Sequence, residues 1–253
     1  MNNRATGITS GNTASRHISC GNISQWLLAA CAAASLATGA PASAAEAPKH
    51  PDFSGQWQIV DTNLVRRPDV YAVESDYTPE AWAKLQAYRT GWDVQVDDPA
   101  KFCVGYGMPH TMTTRARDYI LQIDQSPRRV YVFLEYMDGR RTLHLDGKPV
   151  PETATPSNQG WSRSHWEGAT LVTETTMLKA SSDVGPFLRS EEASIVERWT
   201  LRQDKTHGQV IDVDMMVTDP VTFRHPMVAK QMLKRAPADA TMNEYACPDT
   251  LWD

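Results

Sequence analysis

Long apolar runs, cysteine and positive charge are all scarce in this 253-residue chain, and each scarcity narrows what it can be. One stretch is mostly apolar, roughly a dozen residues from Trp26, and it falls short of the about 20 needed to cross a bilayer. No later segment qualifies, so no transmembrane span is expected and the rest of the chain reads as soluble. Lys and Arg total 25 against 30 Asp and Glu, a formal net charge of −5. Residues 1–44 contribute Arg4 and Arg16 and no acid, which leaves 23 basic against 30 acidic residues beyond them, a net of −7. Without a basic run, binding to a phosphate backbone is excluded as a main activity, and nucleic acid is not an expected partner. Also missing are a Gly-x-Ser-x-Gly elbow, His-Glu-x-x-His, Gly-x-x-x-x-Gly-Lys and a dinucleotide fingerprint. Serine-hydrolase, zinc-protease and nucleotide chemistry therefore lack their usual markers, and no cofactor is expected.

What residues 1–44 do contain is the order of an export signal: basic residues, the apolar run, then the small tripeptide Ala42-Ser43-Ala44. Cleavage after Ala44 predicts a periplasmic or secreted protein. Leu28-Ala29-Ala30-Cys31 offers a competing lipoprotein site, which would leave Cys31 as a lipid anchor outside the cytoplasm. Of the four cysteines, only Cys103 and Cys247 lie beyond the signal. An even pair in an oxidising compartment is most simply a disulfide. Closing so long a loop stabilises by up to ~5 kcal/mol in the chain-entropy description.

Residues 45–52 read as a linker and 53–253 as a single domain. Phe53–Val60 reads as a first strand. Thr78 as N-cap with Pro79 at the first helical position predicts one inserted helix to about Thr90, ended by Gly91, burying Trp82, Leu85 and Tyr88. Beyond Tyr119 the apolar period is two. Val130–Met137 and Arg140–Leu145 flank Asp138-Gly139 as a hairpin; Ser162–Trp166 and Ala169–Thr176 flank Glu167-Gly168 as a second. Ala193–Arg202 pairs with Gln209–Val217, and Val221–Met227 with Lys230–Arg235 supplies the last strand material, Pro226 marking an edge or bend. Eight to ten sequential strands with one early helix predict an all-β fold with minor helix, a single antiparallel β-barrel or strongly curved sheet.

Two resemblances bear on this. Gly55-x-Trp57 resembles the first-strand signature of lipocalin-like barrels, which implies a Trp closing the barrel floor beneath a basic side chain. Over most of the chain, Asp52-Phe53-Ser54-Gly55-x-Trp57, Gly107-Met108-Pro109 and Trp166-Glu167-Gly168-x-Thr170-Leu171-Val172-x-Glu174-Thr175-Thr176 follow in order. Glu197-Arg198-Trp199, Asp219-Pro220 and Tyr245-Ala246-Cys247 complete a pattern similar to a family of exported, mostly uncharacterised bacterial proteins. That family implies fold and compartment and supplies no reaction. His110 and His165 stand where Arg is usual in it, and Ala169 where Asp is usual.

Strand alternation nominates the functional residues. Tyr131, Phe133, Glu135 and Met137 would share one face; Ile195, Glu197, Trp199 and Leu201 another; Phe223, His225 and Met227 a third. A carboxylate on such a face must be paired, hydrogen-bonded or raised in pKa. Glu135, Glu197 and Glu174, with His225 or His165, are the candidate acids and bases; Tyr131, Phe133, Trp166, Trp199 and Phe223 are the candidate cavity wall. Structural pairing of Glu135 or Glu197 with Arg140, Arg141 or Arg198 is the competing reading. The expected function is binding of a small, largely apolar ligand, aromatic or isoprenoid, in a barrel cavity. The first rival is a cofactor-free isomerase, hydratase or lyase using His and Glu as acid and base. The second is periplasmic Cu(I) handling by Met108, His110 and Met112, which strand spacing would place on one side.

Overall fold

Nine strands follow one another around a closed barrel, each pairing with its neighbours in sequence: β1 (Gly55–Ile59), β2 (Ile120–Gln125), β3 (Arg129–Leu134), β4 (Gly139–His144), β5 (Trp161–Glu167), β6 (Thr170–Thr176), β7 (Ser194–Asp204), β8 (Gly208–Thr218) and β9 (Met227–Arg235). The computed structural model describes residues 50–60, 73–93, 96–97, 102, 104–105, 107–113, 119–181 and 188–245. Residues 1–44, read above as an export signal, and Cys103 and Cys247 lie outside the described residues.

An odd number of strands cannot alternate direction all the way round. One adjacent pair must run parallel, and it is β4 with β5, joined in register only at Leu143–Ser162 and His144–Arg163. Parallel neighbours cannot be linked by a tight turn, which is why residues 145–160 form the long Pro-rich connection. The other pairs, including β1 with β9, are antiparallel.

Alternation sends one set of side chains inward. Trp57, Ile123, Val130, Val132, Leu143, Leu171, Ile195, Trp199, Ile211, Val213 and Leu233 are fully buried in one core, each aliphatic side chain stabilising by about 1.5–3 kcal/mol. The outer wall carries Arg163–Glu174, Arg198–Glu167 and Lys230–Asp214 ion pairs, a surface suited to water rather than lipid. Among the described residues no helix is long and apolar enough to cross a membrane.

One end of the barrel is stoppered. Trp57 donates its indole N–H to the Phe53 carbonyl at 2.8 Å, and the Arg235 guanidinium lies 3.8 Å from its ring centroid. Arg235 also donates to the Ser54 carbonyl at 2.7 Å and to Gln209 at 2.8 Å. Gly55 makes this possible: its φ is +117°, and a Cβ there would overlap the Arg235 guanidinium.

The helix α1 (Pro79–Gly91) starts where expected, with the Thr78 hydroxyl accepting from the Ala81 N–H at 3.2 Å. Ala81 and Leu85 are its buried residues, packed with Tyr77 and Phe223, while Trp82 and Tyr88 are only half-buried. A short helical turn, α2 (His110–Thr113), follows the 93–109 connection.

Two expectations change. The β3–β4 turn spans residues 135–138, with Met137 and Asp138 at positive φ and Gly139 already in the strand. A four-residue loop, not a two-residue one, joins these strands, so Glu135 and Met137 leave the strand pattern. Residues 219–226 are a loop rather than a strand, because Asp219 gathers the Ser190 N–H, the Ser190 hydroxyl and the Thr222 N–H and turns the chain there.

Replacing Arg235 by Met removes the cation–π contact and two hydrogen bonds while keeping side-chain length. Urea unfolding is expected to show a loss of about 1–3 kcal/mol; an unchanged midpoint would show that the stopper contributes nothing.

Candidate binding site at the parallel seam

The barrel interior is polar on one side. Arg141 on β4 and Glu197 on β7, only 4% and 0% exposed, form an ion pair across the lumen. Arg141 Nη1 donates to Glu197 Oε1 at 3.1 Å, and Nη2 donates to Oε2 and, at longer range, to Ser162 and Thr175. The hydroxyls of Ser162 and Thr175 lie 2.8 Å apart, as do those of Ser164 and Thr173, each pair directly opposite across β5 and β6. A lone buried Glu or Arg would be prohibitive, and this bidentate pairing with satellite hydroxyls is what makes both tolerable.

Beside Arg141 the wall is thin. Because β5 begins at Trp161, the stretch Arg140–Thr142 of β4 has no strand beside it in that direction; residues 157–160 pass there instead. A cleft of about 330 Å³ results, lined by Arg140, Arg141, Thr142, His144, Gln159 and Trp161 together with Ser157, Gly160 and Ser162. Gly160 sits at φ +67°, where a Cβ would collide with the Thr176 carbonyl, so only glycine brings the connection this close to the sheet. The His144 and Trp161 rings stack at 4.1 Å with planes 6° apart and form a flat wall. Burial holds the His144 imidazole below its ordinary pKa, the nearby Asp146 opposing that effect and Arg129 and Lys148 adding to it. Its ring therefore favours the neutral form more than a free imidazole does.

The residues nominated from the sequence do not converge. Glu197 is inward and buried beside Ile195 and Trp199, as expected, and its partner is Arg141. Glu135 is buried but binds backbone, accepting from the Ile120 N–H at 2.8 Å and the Asn243 N–H at 2.9 Å, and so ties β2 to the C-terminal segment. Glu174 is on the outer face with Arg163. His165 is exposed, 3.2 Å from Glu167, whose carboxyl Arg198 and then His165 hold below its usual pKa. His225 lies in the 219–226 loop, 2.9 Å from Asp76, far from the lumen network in partner and element. Tyr131 and Phe133 stack on each other on the outer face, since Val130, Val132 and Leu134 take the inner positions of β3. Phe223 packs against α1 rather than in the lumen. Trp166 is half-buried at the barrel rim, stacked 4.5 Å from His50.

The copper arrangement is corrected as well. Met108 and Met112 are core side chains, and His110–Thr113 is a helical turn, so the strand spacing that aligned the three donors is absent. Among the described residues no three His, Cys, Asp or Glu side chains cluster as a metal site.

No family model and no curated protein matches the chain. Among solved structures, a mutant of the fluorescent protein UnaG is similar over 73% of this chain and 96% of that chain, with 15% identity and a TM-score of 0.32. A likeness that distant carries nothing about this chain's ligand; the barrel stands on its own strand pairing.

The sequence signal for the lumen network was the small hydroxyl residue at every second position, Ser162 and Ser164 facing Thr173 and Thr175. The pairing of Glu197 with Arg141 that the sequence offers as the competing reading is present, and it spans the lumen between the non-adjacent strands β4 and β7.

Two outcomes are expected here. Glu197→Leu alone leaves Arg141 buried without a counter-charge and should cost about 3–5 kcal/mol in guanidinium unfolding, while Arg141→Met with Glu197→Leu should recover most of it; additive losses would show that the two groups are uncoupled. For His144, the depressed folded pKa means the unfolded state takes up the proton first as pH falls below about 6.5. Stability should therefore drop with acidification through that window, and His144→Phe, which keeps the stack, should flatten the drop in urea midpoints measured between pH 7.5 and pH 5.

Proposed function

We propose that this is an exported binding protein for a small molecule with a largely apolar, planar body, held in the seam cleft. The observation that carries the reading is the cleft itself: a wall of stacked Trp161 and His144 over a floor that reaches the buried Arg141. Its volume stands at the lower end of the range for ligand pockets, and its lining sets the Trp161 face among polar side chains. Binding is favoured over acid–base turnover because the candidate carboxylates are each engaged elsewhere: Glu135 by backbone amides, Glu174 by Arg163 and Glu197 by Arg141. General acid–base catalysis needs an acid and a base converging on one reacting atom.

The export signal and a Cys103–Cys247 disulfide belong to the same reading. In support of the bond, Gly105 and Tyr245 both approach the 135–138 turn, Gly105 beside Met137 and Tyr245 against Tyr136.

Native mass spectrometry of protein isolated from its exporting host is expected to show a bound small molecule. Thr142→Trp, which fills the cleft from its half-buried outer side, should abolish it. A bound species that survives this change would place the ligand elsewhere, and protein that carries and accepts no small molecule would reject the reading.

A further inference from the structure

The barrel is one strand short of closing without a parallel contact, and the seam leaves backbone groups unpaired where a further strand would lie. Leu145 donates its N–H to the Arg128 carbonyl at 2.8 Å, in register with the pairs Val130–Leu143 and Val132–Arg141. Hydrogen bonding alternates along an antiparallel ladder, so the odd-numbered residues of β4 bond β3 and the even-numbered ones turn N–H and C=O to the other side. There His144 and the Thr142 carbonyl meet β5, through the contact at Leu143–Ser162 and His144–Arg163. Beyond that contact lie the Thr142 N–H and both backbone groups of Arg140. None of the three makes a hydrogen bond among the described residues.

Residues 157–160 run alongside but are bonded elsewhere. Ser157 donates to the Met177 carbonyl at 3.0 Å and accepts from the Lys179 N–H at 2.9 Å, and the Asn158 carbonyl accepts from the Met108 N–H at 2.9 Å. The sheet therefore splits: one side follows β4, the other follows the end of β6, and the cleft of about 330 Å³ opens between them. An unpaired strand edge is a template for another strand. Because β4 and β5 are parallel, a strand placed between them can run antiparallel to both, which is the stronger pairing. Side chains directly opposite each other share a face. Opposite Arg140 that face is the outer wall, where the guanidinium is exposed and makes no ion pair among the described residues, so a carboxylate complements it. Opposite Arg141 the face is inward and filled by Glu197, Ser162 and Thr175, which leaves room only for glycine. Opposite Thr142 the face is again outward, on the side of the cleft's Trp161–His144 stack, which suits an apolar side chain.

We propose that the seam cleft takes up an extended peptide segment, added antiparallel to β4, whose residues run in the order apolar, glycine, acidic. The acidic residue exchanges two hydrogen bonds with Arg140, its N–H donating to the Arg140 carbonyl and its carbonyl accepting from the Arg140 N–H. The carbonyl of the apolar residue accepts from the Thr142 N–H. Backbone bonds supply the affinity and alternate side chains the sequence preference. This goes beyond the small-molecule reading, since it depends on the backbone edge of β4 and not on a planar ligand.

The probe is the acetylated and amidated pentapeptide Ala-Phe-Gly-Glu-Ala, titrated into ¹⁵N-labelled protein while the backbone amides of Arg140 and Thr142 are followed. Both amides are expected to shift downfield saturably and to exchange with deuterium more slowly in the bound form. N-methylation of the peptide's Glu removes the donor to the Arg140 carbonyl and should weaken binding about tenfold, the worth of one such hydrogen bond. N-methylation of its Gly alters a nitrogen that faces away from β4 and should weaken binding far less. Arg140→Glu should reverse the preference, so that a peptide with Lys in place of Glu binds more tightly. Equal losses from the two methylated peptides overturn strand addition, and so does binding that leaves the Arg140 and Thr142 amides unshifted. An unreversed preference in Arg140→Glu overturns the acidic assignment. A peptide that does not bind at all rejects the proposal, while a small molecule carried by the protein and lost in Thr142→Trp would still uphold the reading above.

Discussion

An odd number of strands laid side by side in chain order is the constraint on which the rest of this molecule depends. Eight or ten strands would close with tight turns and antiparallel ladders throughout. Nine force one parallel contact, and a parallel contact needs a long connection and pairs less strongly. Here it is reduced to two residue pairs at the end of β4 and the start of β5. The part of β4 left unpaired on its β5 side, the 145–160 connection that crosses beside it and the cleft between them are one consequence seen three ways.

The seam also explains where the polar interior lies. Ser162, Ser164, Thr173, Thr175, Arg141 and Glu197 are the buried polar inner side chains of β4 to β7, while β1 to β3 bring Trp57, Ile123, Val130 and Val132 inward. A buried ion pair is weak support for stability, because desolvation offsets most of its attraction. Its value here is placement: Glu197 fixes the Arg141 guanidinium through both terminal nitrogens.

The fold was largely legible in the sequence because it is written in local signals. The period of two, the Gly168 turn and the Thr78-Pro79 helix start each act within a few residues, and each reappears in the structure. Gly55-x-Trp57 also delivered its basic partner, Arg235, though nothing local singles that residue out. The site was legible only in part. Glu197 and Trp199 were placed correctly because β7 is long and unbroken. Tyr131 and Phe133 were assigned the wrong face because a one-residue error of phase inverts a whole strand, and the Asp138-Gly139 pair suggested a two-residue turn where the loop takes four residues, 135–138. Trp161, His144 and Gln159 come together through a loop and a parallel contact, and no spacing rule reaches across either.

The β1–β9 contact bears on the order in which the molecule can assemble. Most of the barrel consists of hairpins whose strands are close in sequence, such as β2–β3, β5–β6 and β7–β8, and such contacts form early and cheaply. Trp57 and Arg235 face each other from the first and last strands, so their pairing is among the most non-local events in the chain. Until β9 is in place the sheet has two open edges and Trp57 lacks its cover, a form prone to pair with other chains. Arg235 is therefore the latch of the molecule: Trp57, on the first strand of the barrel, stays uncovered until the last strand has been made.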